Sequence, residues 1–158
     1  MNMVGVPRPT GTVRQGASRA SGGSRRNTYF ANASLTAGQK VNEFERCWPW
    51  LEASLNEFGA THTKDQVRDA IRHGAVLWPG ENAVILTTMV TYPIGIRCCS
   101  VWLQGGELEE LKAMYPTIEK YARAQGCDWL IGWGRDGWLK AMPGWQSCGT
   151  RRKKVLTE

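Results

Sequence analysis

The residues best suited to chemistry lie where an apolar run gives way to glycines and acids, in residues 100–111 (SVWLQGGELEEL). Gln104, Gly105 and Gly106 follow a predicted strand, and Leu108 and Leu111 begin a helical spacing. Backbone amides of such a turn can cradle a phosphate, because they meet the positive end of the helix dipole. The stretch is therefore either a cofactor-binding turn or only a tight connection.

Three acids decide between these alternatives. Glu107, Glu109 and Glu110 come directly after the turn, in the first turn of the predicted helix. Carboxylates are favoured there by the helix dipole, which outweighs their interpretation as a catalytic pair. They would also repel the negative charge of a phosphate group. The pattern therefore predicts a tight turn and no bound cofactor.

A second candidate is Arg135 in GRDGW (134–138), which precedes PGW (143–145). Arg135 follows a predicted strand and precedes a short helix, a position where ligands often bind in α/β sheets. The alternative, which we favour, is a structural arginine paired with a nearby acid or carbonyl. His62 is predicted in a loop and His73 at a helix end, and neither belongs to a triad or a metal motif.

Cysteines and tryptophans are interpreted mainly as core residues. The five cysteines include no C-x-x-C pair, which predicts reduced, buried thiols rather than a disulfide framework or a zinc site. Among the eight tryptophans, Trp102, Trp129 and Trp133 fall in strands and are predicted to be core. Trp138 and Trp145 are predicted to pack the short helix on the sheet. Basic residues do not interleave with these rings, which disfavours a nucleic-acid platform.

Periodicity predicts one α/β domain over residues 39–158. Two helices come first: one has Pro49 in its first turn, and the other has a capping box from Thr63 to Gln66. Three antiparallel strands follow, at 75–78, 83–92 and 96–103. A long helix that kinks or restarts at Pro116 then leads to a parallel strand, a short helix and a last strand at about 146–156. No apolar run approaches a membrane span.

Residues 1–38 are predicted to be a flexible basic arm, because Gly, Ser and Arg dominate and large apolar groups are few. The first 40 residues carry six bases and no acid, and the end of the chain is also basic, while the middle is mildly acidic. Such ends suit acidic partner surfaces or DNA. The candidate contacts are Arg8, Arg14, Arg19, Arg25, Arg26, Arg151, Arg152, Lys153 and Lys154.

The order of elements resembles the GNAT (Gcn5-related N-acetyltransferase) fold over roughly residues 43–156, from the two opening helices to the short helix that closes on PGW. The resemblance implies a single mixed sheet with flanking helices. In that family a longer turn, [Q/R]-x-x-G-x-[G/A], binds the pyrophosphate of acetyl-CoA through its amides. The turn at Gln104-Gly105-Gly106 is shorter, so the expectation is that acetyl-CoA is not bound.

The chain also resembles GNAT-like small proteins of the virion gene clusters of tailed bacteriophages. The resemblance lies in GAVLWPGENAVILTT, VWLQGGELEEL, YARAQGCDWLIGWGRDGWLKAMPGW and the basic end. It implies a structural or internal virion component without acetyltransferase activity, anchored by its arm to other virion proteins. Its location would be the virion, and the host cytoplasm during assembly. The alternatives are an acetyl-CoA-dependent N-acyltransferase and a nucleic-acid-binding accessory protein.

Overall fold

The structure, a computed structural model, describes residues 35–134 and 137–148. Four strands form one sheet in the order β1-β2-β3-β4, with β4 parallel to β3 and the other pairs antiparallel. This confirms the predicted mixed sheet with flanking helices. The elements are α1 (Ala37–Glu57), α2 (Lys64–Arg72), β1 (Val76–Pro79), β2 (Ala83–Thr91), β3 (Arg97–Gly106), α3 (Leu108–Ala124), β4 (Trp129–Gly132) and α4 (Trp138–Ala141).

The first helix begins earlier than predicted. The Thr36 side chain accepts from the Gln39 amide, and the Gln39 side chain accepts from the Thr36 amide, which forms a capping box. Pro49 consequently lies inside α1 instead of in its first turn, and the helix continues through it. Buried Leu51 and Leu55 hold the second half of α1 on the sheet, and this packing offsets the hydrogen bond that proline removes.

Pro116 does not interrupt α3, contrary to the predicted kink or restart. The helix is assigned without a break from Leu108 to Ala124. Met114, Tyr115 and Ile118 on both sides of the proline are buried in one core cluster. Their burial holds both turns against the sheet, which stabilises the helix across the missing amide.

The sheet separates two apolar layers. The first layer packs α1 and α2 against residues such as Leu77 and Leu86, and the second packs α3 against residues such as Ile85 and Val101. Three of the predicted packing thiols, Cys47, Cys98 and Cys99, are buried, while Cys127 is half-buried and Cys148 is exposed. The prediction of buried thiols is therefore confirmed for three of the five.

The buried thiols should make the fold sensitive to alkaline pH. Burial raises the pKa of Cys47 and of Cys99 to about 11. A pKa raised by folding stabilises the fold below the ordinary thiol pKa of about 8.5, and this contribution is lost as pH rises through the folded value. We therefore expect the free energy of unfolding, measured in urea, to fall between about pH 8.5 and 11. An equally steep fall in the Cys47→Ala/Cys99→Ala double variant would assign it to other groups.

Two tryptophans predicted to be core are exposed. Trp129 is 54% exposed and Trp133 is 40% exposed, whereas Trp102 is half-buried. Trp129 pairs in register with Cys98, so it lies on the α1–α2 face of the sheet, but α1 packs mainly on β1, β2 and β3. The edge strand thus extends beyond its helical cover. Trp138 and Trp145 do pack against the α3 layer, as predicted.

The remaining sequence predictions have mixed outcomes. His73 is the C-cap of α2 and His62 lies in the α1–α2 loop, as predicted. Residues 146–148 are not in a strand, so the last predicted strand does not begin where expected, and its remainder lies outside the described residues. Among the helices that the structure describes, none is both long and apolar enough to cross a membrane.

Candidate functional site

The last two strands of the sheet, β3 and β4, separate at one end. β4 pairs with β3 only from Cys98↔Trp129 to Val101↔Gly132. β3 then continues to Gly106, whereas β4 ends at Gly132. Residues 102–106 of β3 thus lack a β4 partner within the part of the chain that the structure describes. We call the space beside residues 102–106 the strand opening.

A β-bulge begins the strand opening. Leu86 pairs with Leu103 and Thr87 pairs with Val101, so Trp102 is the extra residue. Such an insertion reverses the alternation of side chains beyond it, because successive strand residues point to opposite faces. Leu103 consequently packs in the α1–α2 layer beside Trp102, and Gln104 turns to the α3 face.

The side chain of Gln104 crosses the strand opening. Its Oε1 accepts from the Tyr115 hydroxyl at 2.6 Å, and its Nε2 lies 3.5 Å from the Trp133 carbonyl oxygen. The second distance is at the upper limit of a hydrogen bond. The amide therefore holds α3 firmly and the end of β4 weakly, which is an arrangement that a ligand entering the opening can displace.

Aromatic rings close the α3 side of the opening. Tyr115 makes edge contacts with Trp138 at 6.5 Å and with Trp145 at 5.5 Å between ring centroids. A Cβ atom on Gly132 would lie 3.3 Å from the Trp145 ring, so glycine lets this ring approach β4. Burial raises the pKa of Tyr115, and the hydrogen bond to Gln104 only partly opposes this. The hydroxyl is therefore a proton donor over the whole neutral range.

The predicted turn is indeed tight. Gly106 has φ +106°, and a Cβ atom there would lie 2.2 Å from the Asn82 carbonyl oxygen. The Glu107 amide donates to the same oxygen at 2.9 Å. Gly105 meets the backbone of Trp50 in α1. Both glycines are thus required by the close approach of neighbouring backbone, whether or not the turn binds a ligand.

One of the three acids, Glu110, binds the turn between β1 and β2 and not the turn at Gln104–Gly106. Glu110 accepts from the amides of Glu81 and Asn82 at 2.6 and 2.7 Å, in the turn between β1 and β2. From α1, Arg46 donates to the carbonyl oxygens of Gly80 and Glu81 at 2.6 and 3.0 Å. We call this arrangement the turn clamp. It occupies the Glu110 carboxylate, so Glu110 is structural.

The other two acids remain at the start of α3. Glu107 is the N-cap residue, but its side chain makes no capping hydrogen bond. Glu109 is 83% exposed and forms a salt bridge with Lys112 at 2.8 Å. The first amides of any helix have no partner within it, so those of α3 need an acceptor from outside the helix, and an anion could supply one beside these carboxylates. Two carboxylates, and not the three expected from the sequence, therefore remain to oppose the negative charge of a phosphate.

On the opposite face of the sheet, His62 contacts the bulge residue. Its ring makes an edge contact with Trp102 at 4.9 Å between centroids, and its Nδ1 lies 2.9 Å from Thr61 Oγ1. Sequence reasoning missed this role, because the pattern placed His62 in a loop without indicating which strand lay beneath it.

The predicted site residues are only partly covered by the structure. Gln104 contacts Tyr115 and the end of β4. Gly105 and Gly106 allow the close backbone approaches of the tight turn between β3 and α3. Arg135 and every basic residue proposed to contact partners or DNA lie outside the described residues. Among residues 35–134 and 137–148, no group of three or more metal-ligating side chains could hold a metal ion.

Solved structures share this architecture at low sequence identity. One is a probable acetyltransferase, with a TM-score of 0.54 and 9% identity over 75% of this chain and 93% of that chain. Another is a tetramutant of the BH1408 protein from Bacillus halodurans, with a TM-score of 0.53 and 14% identity over 77% and 97%. Comparison with protein-family models gives no match, and comparison with curated proteins gives none either.

The comparison corrects the main function predicted from sequence, a virion component without acetyltransferase activity. The similar structure whose name states an activity is a probable acetyltransferase, which favours the alternative, an N-acyltransferase. The predicted virion partners, DNA contacts and location stay predictions. At 9% and 14% identity the two likenesses show the fold alone: this chain has the GNAT fold.

Proposed function

We propose that this chain is an acyltransferase that moves an acyl group from a thioester donor of the acyl-CoA class to an amine. The observation that carries the proposal is the strand opening. Among the described residues, 102–106 have no β4 neighbour, and strand residues of this kind offer backbone donors and acceptors to an extended ligand, as in β-strand addition. One of these donors, the Gln104 amide, has a long hydrogen bond to Ser54 Oγ at 3.4 Å, which a ligand would have to replace. The pantetheine arm of CoA is such a ligand, because it is extended and contains amide groups.

The neighbours of the strand opening fit a thioester donor. The helix α3 begins just beyond Gly106, so its first amides face the direction in which the phosphates of CoA would lie. The Tyr115 hydroxyl on Gln104 is a protonated group beside the opening, able to donate a hydrogen bond to a leaving thiolate. The short acidic turn opposes phosphate binding, which predicts weak affinity for the nucleotide part of the donor.

Binding and thiol release test the function. The purified chain is mixed with acetyl-CoA and a panel of primary amines, and free thiol is followed by a disulfide reagent after allowance for the protein thiols. We expect amine-dependent release of CoA and a rise in melting temperature with acetyl-CoA. At a hundred times its dissociation constant, a ligand stabilises a fold by about 2.7 kcal/mol. If millimolar acetyl-CoA produced no thiol release and no melting shift, the proposal would be refuted. That result would support the expectation, drawn from the short turn, that acetyl-CoA is not bound.

The acids of the turn give a prediction on the donor. Replacing Glu107 and Glu109 with glutamine removes two carboxylates from the start of α3, so the KM for acetyl-CoA should fall several-fold, more at low salt than at high salt. The KM for acetyl-pantetheine, which lacks the pyrophosphate, should not change. The control is Glu119→Gln near the other end of α3. A fall in KM for both donors would show that the carboxylates act on the fold instead of on the phosphates.

A further inference from the structure

We propose that His62 is the catalytic base that accepts the proton of the attacking amine. The inference rests on the proposed function and assigns a residue to the acceptor side of the same site. Histidine is the side-chain type best suited to exchange protons near neutral pH. His62 and His73 are the only histidines in the chain, and they lie at opposite ends of α2.

The position of His62 follows from the bulge. Trp102 comes directly after Val101, the last β3 residue paired with β4, so it stands where the strand opening begins. The His62 ring lies edge-on to the Trp102 ring on the α1–α2 face. A thioester held in the strand opening beside Trp102 would thus have the imidazole on its α1–α2 side, from which a base could act directly or through one water.

The side from which the amine can approach depends on which side chains pack on each face of the sheet at the strand opening. On the α3 face, Tyr115, Trp138 and Trp145 pack together beside the opening. On the α1–α2 face, α1 covers the two residues that follow Leu103, since Ser54 accepts from the Gln104 amide and Trp50 lies against Gly105. Beside the bulge itself lie Trp102, which is half-buried, and His62, which is exposed. We therefore expect the acceptor to reach the thioester beside the bulge, where a base for its proton must stand.

The orientation of the imidazole is also suitable. Nδ1 is held by Thr61 Oγ1 at 2.9 Å, while the ring is held at its edge by Trp102. In the tautomer whose Nδ1–H donates to this hydroxyl oxygen, Nε2 carries the lone pair. A base must present an unprotonated nitrogen to its substrate, which this tautomer does.

The reaction step balances with these groups. The neutral amine attacks the thioester carbonyl and forms a C–N bond. His62 Nε2 takes one proton from the nitrogen, the C–S bond breaks, and the thiolate leaves with its electron pair. The thiolate takes a proton from solvent. The products are the amide and free CoA thiol, with the proton released from His62 to water.

The test compares the two histidines in the full chain. For His62→Gln we expect kcat for amine acetylation to fall at least a hundredfold, since a general base contributes about 10²–10⁴-fold. The melting shift with acetyl-CoA should be retained, because the donor lies in the strand opening. His73→Gln should keep wild-type kcat, since His73 lies at the other end of α2 from His62, where its Nδ1 contacts the Asp69 carbonyl oxygen. In His62→Ala, added imidazole should restore part of the rate.

The outcomes separate the two proposals. An active wild type whose His62→Gln variant keeps its kcat overturns the role of His62 and leaves the proposed function standing. An inactive variant that imidazole does not rescue, or that loses the acetyl-CoA melting shift, assigns His62 a structural role and also overturns the proposal. A wild type without amine-dependent thiol release overturns both proposals together.

Discussion

Replacing Gly106 with alanine should destabilise the fold by about 2–5 kcal/mol, a large part of the 5–15 kcal/mol typical of a domain. A left-handed conformation costs a residue with a Cβ atom about 1–2 kcal/mol, and Gly106 has φ +106°. The added carbon would also lie 2.2 Å from the Asn82 carbonyl oxygen and 2.4 Å from Ala83 Cα. Neither contact is relieved by rotating a side chain, so backbone must move, at a further cost of about 1–3 kcal/mol.

Gly74→Ala is the matched control for this change. Gly74 has φ +112°, but nothing lies within 4 Å of a Cβ atom built on it. It should therefore lose only the conformational part, about 1–2 kcal/mol. Urea unfolding of both variants measures the difference, which is the cost of pushing β3 away from the β1–β2 turn. Equal losses in the two variants would show that the turn and the strand are not in close contact.

The strand opening should respond to the same substitution. Gly106 ends β3, and Ala83, its partner in register, begins β2. Gln104 lies two residues before Gly106, so a displacement of the backbone at this pair would also move Gln104 and its hydrogen bond to Tyr115. The turn that sequence reasoning identified as a cofactor candidate thus acts on the site indirectly, by fixing where β3 ends.

Much of the fold could be predicted because local patterns agree with the final packing. The antiparallel strands, the helix after Gly106 and the cap at Thr63 follow from alternation, glycine positions and a capping box. The start of α1 was equally readable, since Thr36 and Gln39 have the same spacing as Thr63 and Gln66. Pro49 favours a later start, but tertiary packing readily holds a proline inside a helix.

The site could not be predicted to the same extent, because it depends on a β-bulge in β3 and on how much of the sheet α1 covers. Nothing in CCSVWLQGG reveals that Trp102 is an extra residue, so the face of Gln104 was unknowable from alternation alone. The exposure of Trp129 depends on how far α1 extends across the sheet. Both are properties of long-range packing, and local periodicity carries no information about them.

Replacing Glu110 with alanine should destabilise the fold by about 2 kcal/mol. Its carboxylate accepts two backbone hydrogen bonds from Glu81 and Asn82, and hydrogen bonds to a charged group contribute about 1.5–3 kcal/mol each. The turn is exposed, so water replaces part of this loss in the variant. The measurement is the free energy of unfolding in urea. Glu109→Ala is the control, because its salt bridge with Lys112 is exposed and such pairs contribute about 0–1 kcal/mol.

Glu110→Gln separates the hydrogen bonds from the volume of the side chain. The two amides bind different oxygens of Glu110, and a glutamine of the same shape has only one oxygen. Its amide nitrogen would face the second backbone donor, so one bond is lost and two donors oppose each other. The loss in Glu110→Gln should therefore reach at least half of that in Glu110→Ala. A glutamine variant as stable as the wild type would mean that packing of this side chain against Gly80, and not the turn clamp, joins α3 to the first two strands.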